Sequence, residues 1–254
     1  MQYKSIIRLL KHCNIDYNAF DPVRAKKVLS AEFSITPGGI ISIDGFDYTA
    51  NDVFKELENP DFQRILKIHK LIWRNPELLN CLEKNEVTIH PNDFFIWIYY
   101  SSYGQDVNNF ISPYFALSYS KIMGQLIKNA QFKEATRWLS MWLENKYSIL
   151  NSDDRQTALN STEIIIKDFI KLLRNINDTT YKNHLPELEK WFSQPWNLFI
   201  NKLPDSLYDL KNNLLLAMLN FILIIKDTDK ELAKKIHQQM VEVRNIDSGL
   251  YERI

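Results

Sequence analysis

The five histidines are the residues of this sequence best suited to acid–base or metal chemistry, and their spacing restricts both uses. They stand at positions 12, 69, 90, 184 and 237. No two of them have the HExxH spacing that places two imidazoles on one helix face around a zinc ion. His184 and Glu187 are close in sequence, but Pro186 between them disfavours a shared helix face. We therefore expect neither a metal site nor a bound cofactor.

Two of the histidines have neighbours that fit a general base. His69 lies on the apolar stripe of a predicted helix, where an imidazole is more often a hydrogen-bonded core residue than a base. Asp93 can orient the ring of His90, but the intervening Pro91 and Asn92 are also ordinary helix-start residues. The sequence has no GxSxG, phosphate-binding glycine loop or GxGxxG motif. These patterns predict no catalytic residue and favour a non-catalytic protein. The alternative function is that of a helical enzyme with a polar site between helices.

Aromatic side chains offer binding rather than catalysis, because tyrosine and tryptophan often anchor protein interfaces. One group comprises Phe94, Phe95, Trp97, Tyr99, Tyr100 and Tyr103, and a second comprises Trp191, Phe192, Trp196 and Phe199. Most of these residues should belong to the core. The first group, however, has more aromatics than one buried helix face readily absorbs. We therefore predict that Trp97, Tyr100 and Tyr103 contact a protein partner.

The charge and cysteine content narrow the class of protein and its compartment. The 31 basic and 31 acidic residues of the 254-residue chain cancel, so no overall field attracts nucleic acid or an anionic membrane surface. Cys13 and Cys81 form no CxxC motif and no paired spacing. Unpaired cysteines fit a reducing compartment. We expect a cytoplasmic protein that does not bind nucleic acid.

Two apolar stretches are candidates for targeting or membrane segments. Arg8 and Lys11 interrupt the N-terminal stretch MQYKSIIRLLKHC, which therefore lacks the continuous apolar region of a signal peptide. The run LLLAMLNFILII at 214–225 is shorter than the ~20 residues that a spanning helix needs, and it contains Asn220. The sequence thus predicts a buried helix there and no membrane span.

The first fifty residues carry the only clear β pattern. Asp21 and Pro22 mark the start of a helix over 22–32. A type II turn is expected at 36–39, and Asp44-Gly45 suits a two-residue type I′ hairpin. That register pairs Ile43 with Phe46 and Ile41 with Tyr48, and a third strand is considered at Phe33 to Ile35.

The remaining residues have helical periodicity. Thr49, Asn59-Pro60-Asp61 and Asn75-Pro76-Glu77 mark three helix starts. Later helices are predicted at 132–147, 154–176, 186–193, 206–226 and 229–245, the last with Thr228 and Glu231 in capping-box spacing. We expect an N-terminal unit over 1–50 and a helical domain over 51–254, with a single domain as the alternative.

One stretch resembles a known family. From Ala116 to Leu150 the apolar spacing and the segment Phe132-Lys133-Glu134-Ala135 resemble one tetratricopeptide repeat, a helical hairpin used in docking scaffolds. Gly124 lies one position late for that pattern, and the 34-residue windows on either side do not repeat it. A single match favours an irregular stack of helical hairpins over a repeat array. The resemblance implies that Leu117, Ser120, Gly124, Ile127 and Lys128 face a concave groove.

These observations lead to one fold class and a favoured function. We predict a mainly α protein, an irregular α-solenoid-like stack of antiparallel hairpins with a small N-terminal β-hairpin. The favoured function is that of a non-catalytic scaffold or adaptor that binds a protein partner. Ser120 and Lys128 supply the polar contacts of the predicted groove. The abundance of Asn, Lys and Ile is typical of an AT-rich genome and is compatible with a bacterial source.

Overall fold

The computed structural model describes residues 2–86, 104–144, 150–192 and 194–253. Within these residues the protein is mainly helical and has a small two-stranded antiparallel sheet, which confirms the predicted fold class at that level. The helices of the N-terminal part are α1 (Ile6–His12), α2 (Pro22–Ile35), α3 (Ala50–Leu57), α4 (Phe62–Trp73) and α5 (Pro76–Lys84). The later helices are α6 (Gly104–Lys128), α7 (Phe132–Glu144), α8 (Arg155–Asn175), α9 (Leu185–Phe192), α10 (Trp196–Asn201), α11 (Tyr208–Ile225), α12 (Lys230–Met240) and α13 (Ser248–Tyr251).

The predicted hairpin is confirmed, residue by residue. Strands β1 (Ile40–Ile43) and β2 (Phe46–Thr49) pair Ile41 with Tyr48 and Ile43 with Phe46. Asp44 and Gly45 have φ values of 52° and 82°, as a type I′ turn requires. The predicted third strand is wrong, because Phe33 to Ile35 form the last turn of α2. That helix ends just before Pro37, whose ring disfavours helical backbone in the preceding residue.

Most predicted helix starts are confirmed, and two differ in detail. Asp21, Thr49 and Asn75 each cap the expected helix by accepting a hydrogen bond from its first turn. Asn59 instead accepts from the Asp61 N–H at 2.9 Å in a local turn, and α4 begins at Phe62. Before α12 the capping residue is Asp229, which accepts from the Leu232 N–H at 3.1 Å. Thr228 does not cap this helix, because its hydroxyl donates to the Ile225 carbonyl at 3.2 Å.

The buried apolar residues form two clusters. The small core joins α1, α2, the hairpin, α3 and the start of α4 through residues such as Leu10, Leu29 and Tyr48. The large core joins the end of α4 to all later helices of the described chain and includes Trp138 and Trp196. The small core draws Val53, Phe62 and Leu66 from beyond residue 50. The predicted boundary at residue 50 stays a prediction.

Helix α8 is central to the large core, because it packs against both α6 and α11. The α6 side of this contact uses small residues. A Cβ atom on Gly124 would lie only 3.0 Å from the Cβ of Ser161 on α8. Gly124, which lies one position late for the tetratricopeptide pattern, therefore permits close approach of α8, a helix that is not part of the predicted hairpin.

Candidate functional site

A buried chain of hydrogen bonds surrounds His69, one of the two histidines that would serve as a general base under the alternative enzyme hypothesis. The residue lies on α4, and its side chain is 2% exposed. Its Nε2 atom is 2.7 Å from the Glu56 Oε1 atom on α3. Its Nδ1 atom is 2.7 Å from the Tyr3 hydroxyl in the segment before α1. In a neutral imidazole whose Nε2 donates to the Glu56 carboxylate, Nδ1 accepts from the Tyr3 hydroxyl.

This arrangement limits the chemistry available to His69. Both ring nitrogens are occupied, and the rings of Tyr3 and Phe110 cover the imidazole with centroid distances of 5.5 and 5.1 Å. Tyr3 is 1% exposed, and burial raises the pKa of its phenol well above the usual value. Neither group presents a free proton acceptor to a substrate. The geometry fits a hydrogen-bonded core histidine that holds the N-terminal segment on α4.

A second buried polar group lies beside the first. The carboxylate of Glu83 on α5 is 1% exposed and accepts from the Ser5 N–H at 3.1 Å. Arg8 on α1 donates to the same carboxylate at 2.6 Å and pairs with Asp44 in the hairpin turn. The guanidinium lies over the ring of Trp73, with 5.4 Å to the centroid. A single arginine thus connects α1, the hairpin, α4 and α5.

An open groove lies between α9 and α12. It encloses about 900 Å³. Its charged lining residues are Glu189, Lys190, Asp229, Glu231, Lys234 and Lys235. Acidic and basic side chains both line this surface, which has few apolar residues. Lys190 also donates to the Lys128 carbonyl at 2.5 Å, so the groove borders the turn between α6 and α7.

The structure describes two of the five predicted partner-binding residues, Lys128 and Ser120, and these two differ in exposure. Lys128 is exposed at the end of α6, next to this groove. Ser120 is 6% exposed, and its hydroxyl donates to Ser161 Oγ at 2.9 Å and accepts from the Ser161 N–H at 3.0 Å. Helix α8 therefore covers the face of α6 that the repeat resemblance assigned to a concave groove. Trp97, Tyr100 and Tyr103 lie outside the described residues, as does His90.

The second aromatic group belongs to the core, as expected. Trp191, Phe192, Trp196 and Phe199 are each at most 4% exposed. Trp191 stacks on Phe169 with 3.9 Å between ring centroids. These side chains are therefore part of the packing and leave no aromatic surface of their own.

Two further features bear on metals and membranes. Within the described ranges, no group of three or more histidine, cysteine or acidic residues is placed to hold a metal ion. In the same ranges one helical stretch, Asp205–Ile225, is long and apolar enough to cross a membrane by length and composition alone. An 18-residue window of this stretch has a mean hydropathy of 1.3, and half of that window is buried inside the protein. The stretch contains the apolar run 214–225 and extends beyond it towards the N-terminus.

Comparisons with known proteins add no relative. A scan against protein-family models and searches of curated proteins and of solved structures found no match. Functional inference for this chain therefore rests on its own residues.

Proposed function

We propose that this protein is a non-catalytic scaffold or adaptor that binds a protein partner in the groove between α9 and α12. The observation that carries the proposal is the groove itself, an open surface that is lined by both acidic and basic residues and borders Lys128. A surface that carries both signs of charge suits a protein partner of complementary pattern and disfavours a partner of one sign, such as nucleic acid.

The alternative function is a helical enzyme that uses His69. Convergence of Glu56, His69 and Tyr3 motivates it, since three ionisable side chains meet between helices. A general base must reach the proton that it removes. His69 is 2% exposed, and both of its ring nitrogens are hydrogen-bonded to other residues of the protein. These contacts favour a structural role for the side chain. The scaffold function is therefore our preferred one.

The cysteines support the proposed cytoplasmic location. Both Cys13 and Cys81 are free and buried. Burial raises the pKa of the Cys13 thiol to about 11 and that of Cys81 to about 12, so neither is an activated nucleophile. Thiol titration of the denatured, unreduced native protein should detect both, and a disulfide in protein from its native source would contradict this location.

Charge reversal in the groove tests the function. Lys234 and Lys235 are exposed lining residues of α12. We expect the double variant Lys234→Glu/Lys235→Glu to lower partner capture from a native extract by about tenfold or more, because like charges then oppose docking. Lys128→Glu should give a smaller loss.

A matched control makes the result specific. Lys27→Glu changes the same type of exposed residue on α2, far along the chain from the groove. The proposal is supported if capture of one protein falls with the groove variant and persists with Lys27→Glu. Equal capture by both variants would rule out the groove. The predicted contacts of Trp97, Tyr100 and Tyr103 can be tested in the same assay by single alanine substitutions.

A further inference from the structure

The groove between α9 and α12 has its charged residues in a definite order along α12. The acidic lining residues Asp229 and Glu231 stand at the start of this helix, and Lys234 and Lys235 lie about one turn further on. At a rise of about 1.5 Å per residue, Glu231 and Lys235 are about 6 Å apart along the helix axis. The surface of α12 therefore changes from negative to positive along the groove.

Helices α6 and α9 extend the positive end. The Gln239 side chain, near the end of α12, donates to the carbonyl of Phe192, the last residue of α9, at 3.2 Å. Lys190 is two residues before Phe192, so it lies towards this end of the groove. Its ammonium group donates to the Lys128 carbonyl, which places exposed Lys128 beside it. Glu189 on α9 is an acidic exception to the order.

The charged side chains of α12 that line the groove are not paired with one another. Glu231 and Lys235 have the i, i+4 spacing of a helical ion pair, but no ion pair joins them in the described part of the chain. Lys234 also belongs to no ion pair within the same residues. All three side chains are exposed. Their charges are therefore available to a partner.

The shape of the groove favours a convex partner. The same face of a second copy would leave a void between two concave surfaces, which disfavours self-association here. An α-helix with its side chains is about 10 Å across and can pack beside two other helices. Pro186 and Leu232, which is 9% exposed, supply a small apolar floor. A helix that has one apolar side and charged flanks therefore fits this surface.

The charge order also selects the direction of such a helix. Helices favour acidic residues in the first turn and basic residues in the last, because these charges complement the helix dipole. A helix of that kind matches the groove when it runs antiparallel to α12. Its acidic first turn then faces the lysines, and its basic last turn faces Asp229 and Glu231. The opposite direction would bring like charges together.

We propose that the groove binds an amphipathic helix of a partner protein, which runs antiparallel to α12 and carries acidic residues in its first turn and basic residues in its last. This inference rests on the proposed function, because it names the kind of partner that the groove binds. Electrostatic complementarity contributes more to specificity than to affinity. The inference is therefore tested by a difference between two ligands.

The experiment uses the full chain and two fluorescent peptides of one composition. Both are about 15 residues long and are cross-linked into a helix on the side away from the groove. The first has Glu in its first turn, Leu at its centre and Lys in its last turn, and the second exchanges Glu and Lys. We expect the unmodified chain to bind the first peptide at least about fivefold more tightly in fluorescence anisotropy at low ionic strength. Added salt should reduce the difference.

An exchange of charges within the protein is the matched control. The variant Glu231→Lys/Lys235→Glu inverts the order on α12 and preserves the net charge. It should prefer the second peptide, whereas Lys27→Glu should keep the preference of the unmodified chain. Lys128→Glu should weaken binding of the first peptide, and it serves as an independent variant if the exchanged protein does not fold.

Four results would overturn the inference: equal binding of the two peptides, a preference of the unmodified chain for the second peptide, a preference that the folded exchange variant retains, and binding of neither peptide. The proposed function has a separate outcome. If Lys234→Glu/Lys235→Glu lowers partner capture while the two peptides bind equally, the groove binds a protein that does not present such a helix. If that double variant leaves partner capture unchanged, the groove proposal itself fails.

Discussion

The small core and the large core of this protein are stabilised by different kinds of interaction. At the edge of the small core, buried charged and polar groups connect segments that are far apart in sequence, as Arg8 and Glu83 do. The large core has a denser set of aromatic contacts, such as Phe169 with Trp191 and Phe132 with Phe199, beside polar contacts such as that of Ser120 with Ser161. Hydrogen bonds are directional, so they fix how the N-terminal segment docks. Apolar contacts are nondirectional, so the packing of the large core depends mainly on how well the volumes of its side chains fit together.

This difference predicts unequal tolerance of substitution. Removing one partner of a buried ion pair destabilises the folded state, because the remaining charge is desolvated and has no counter-charge. An apolar site loses free energy in proportion to the volume removed and to how far its neighbours can relax. Single and compensated substitutions in the two regions can therefore separate the two mechanisms.

The largest loss at the edge of the small core is expected for Glu83→Ala. It leaves Arg8 and the Ser5 N–H without their buried acceptor. The free energy of unfolding should fall by about 3–5 kcal/mol in chemical denaturation. The double variant Arg8→Met/Glu83→Leu should recover most of that loss, since no charge is then stranded. A single-variant loss below ~1 kcal/mol would mean that water reaches the carboxylate.

A similar loss, of different origin, is expected for Phe169→Ala in the large core. The side chain is 3% exposed and stacks on Trp191. Removing it should cost about 3–5 kcal/mol through the cavity left behind. Phe169→Leu should cost distinctly less, because it restores part of the volume. Equal losses for the two variants would show that ring stacking, and not volume, controls this site.

A smaller loss is expected where α7 packs on its neighbours. Ala135 is fully buried, and Ala135→Leu should overpack the contact and cost about 1–3 kcal/mol. Lys133→Leu on the same helix adds a similar volume at an exposed position and should change stability by less than ~0.5 kcal/mol. The two denaturation midpoints give the comparison. A neutral Ala135→Leu would show that this contact has spare room.

The hydrogen bond between Tyr3 and His69 should contribute less to the free energy of unfolding than the ion pair between Arg8 and Glu83. Tyr3→Phe removes the donor to the buried His69 Nδ1 atom and should cost about 1–2 kcal/mol. Tyr251→Phe, at a residue 67% exposed, is the matched control and should be neutral. Thermal unfolding of both variants tests this. If Tyr3→Phe is also neutral, water or a ring rearrangement satisfies His69.

The smallest effect concerns pH and a thiol of the large core. Burial raises the pKa of Cys81 from 9.0 to about 12. As pH rises above about 9, the Cys81 thiol ionises in the unfolded chain but not in the folded one. The contribution of this thiol to the stability of the folded state is therefore fully present below that pH and is lost progressively above it. At pH 10 the loss from Cys81 should be roughly 1 kcal/mol.

Cys81→Ala isolates that contribution. Its free energy of unfolding should fall less steeply between pH 8 and pH 10 than that of the unmodified chain. Cys13 in the small core, whose pKa burial raises to about 11, should show a nearly equal effect up to pH 10, and its contribution should level off above about pH 11. Parallel pH profiles for Cys81→Ala and the unmodified chain would contradict the assignment.

Local features of the fold were predictable from sequence because their interactions lie within a few residues. Asp44-Gly45 determined the hairpin and its register, since only certain residues adopt the left-handed backbone of that turn. Asp21 and Asn75 marked helix starts by the same local logic. The apolar spacing around residues 132–144 predicted a buried face that includes Ala135. Errors arose where two nearby residues competed for one role, as Thr228 and Asp229 did before α12.

The sequence by itself determined the helices, the hairpin and the residues that face a core. Only the tertiary structure decided which of those faces meet. It brought Tyr3, Glu56 and His69 together, covered Ser120 with α8, and placed Asn201 against residues 242–247. Each of these outcomes joins residues that are distant along the chain or belong to different elements. The physical reason is that helical periodicity specifies which side of a helix is buried, whereas its partner is selected by the packing of the whole chain.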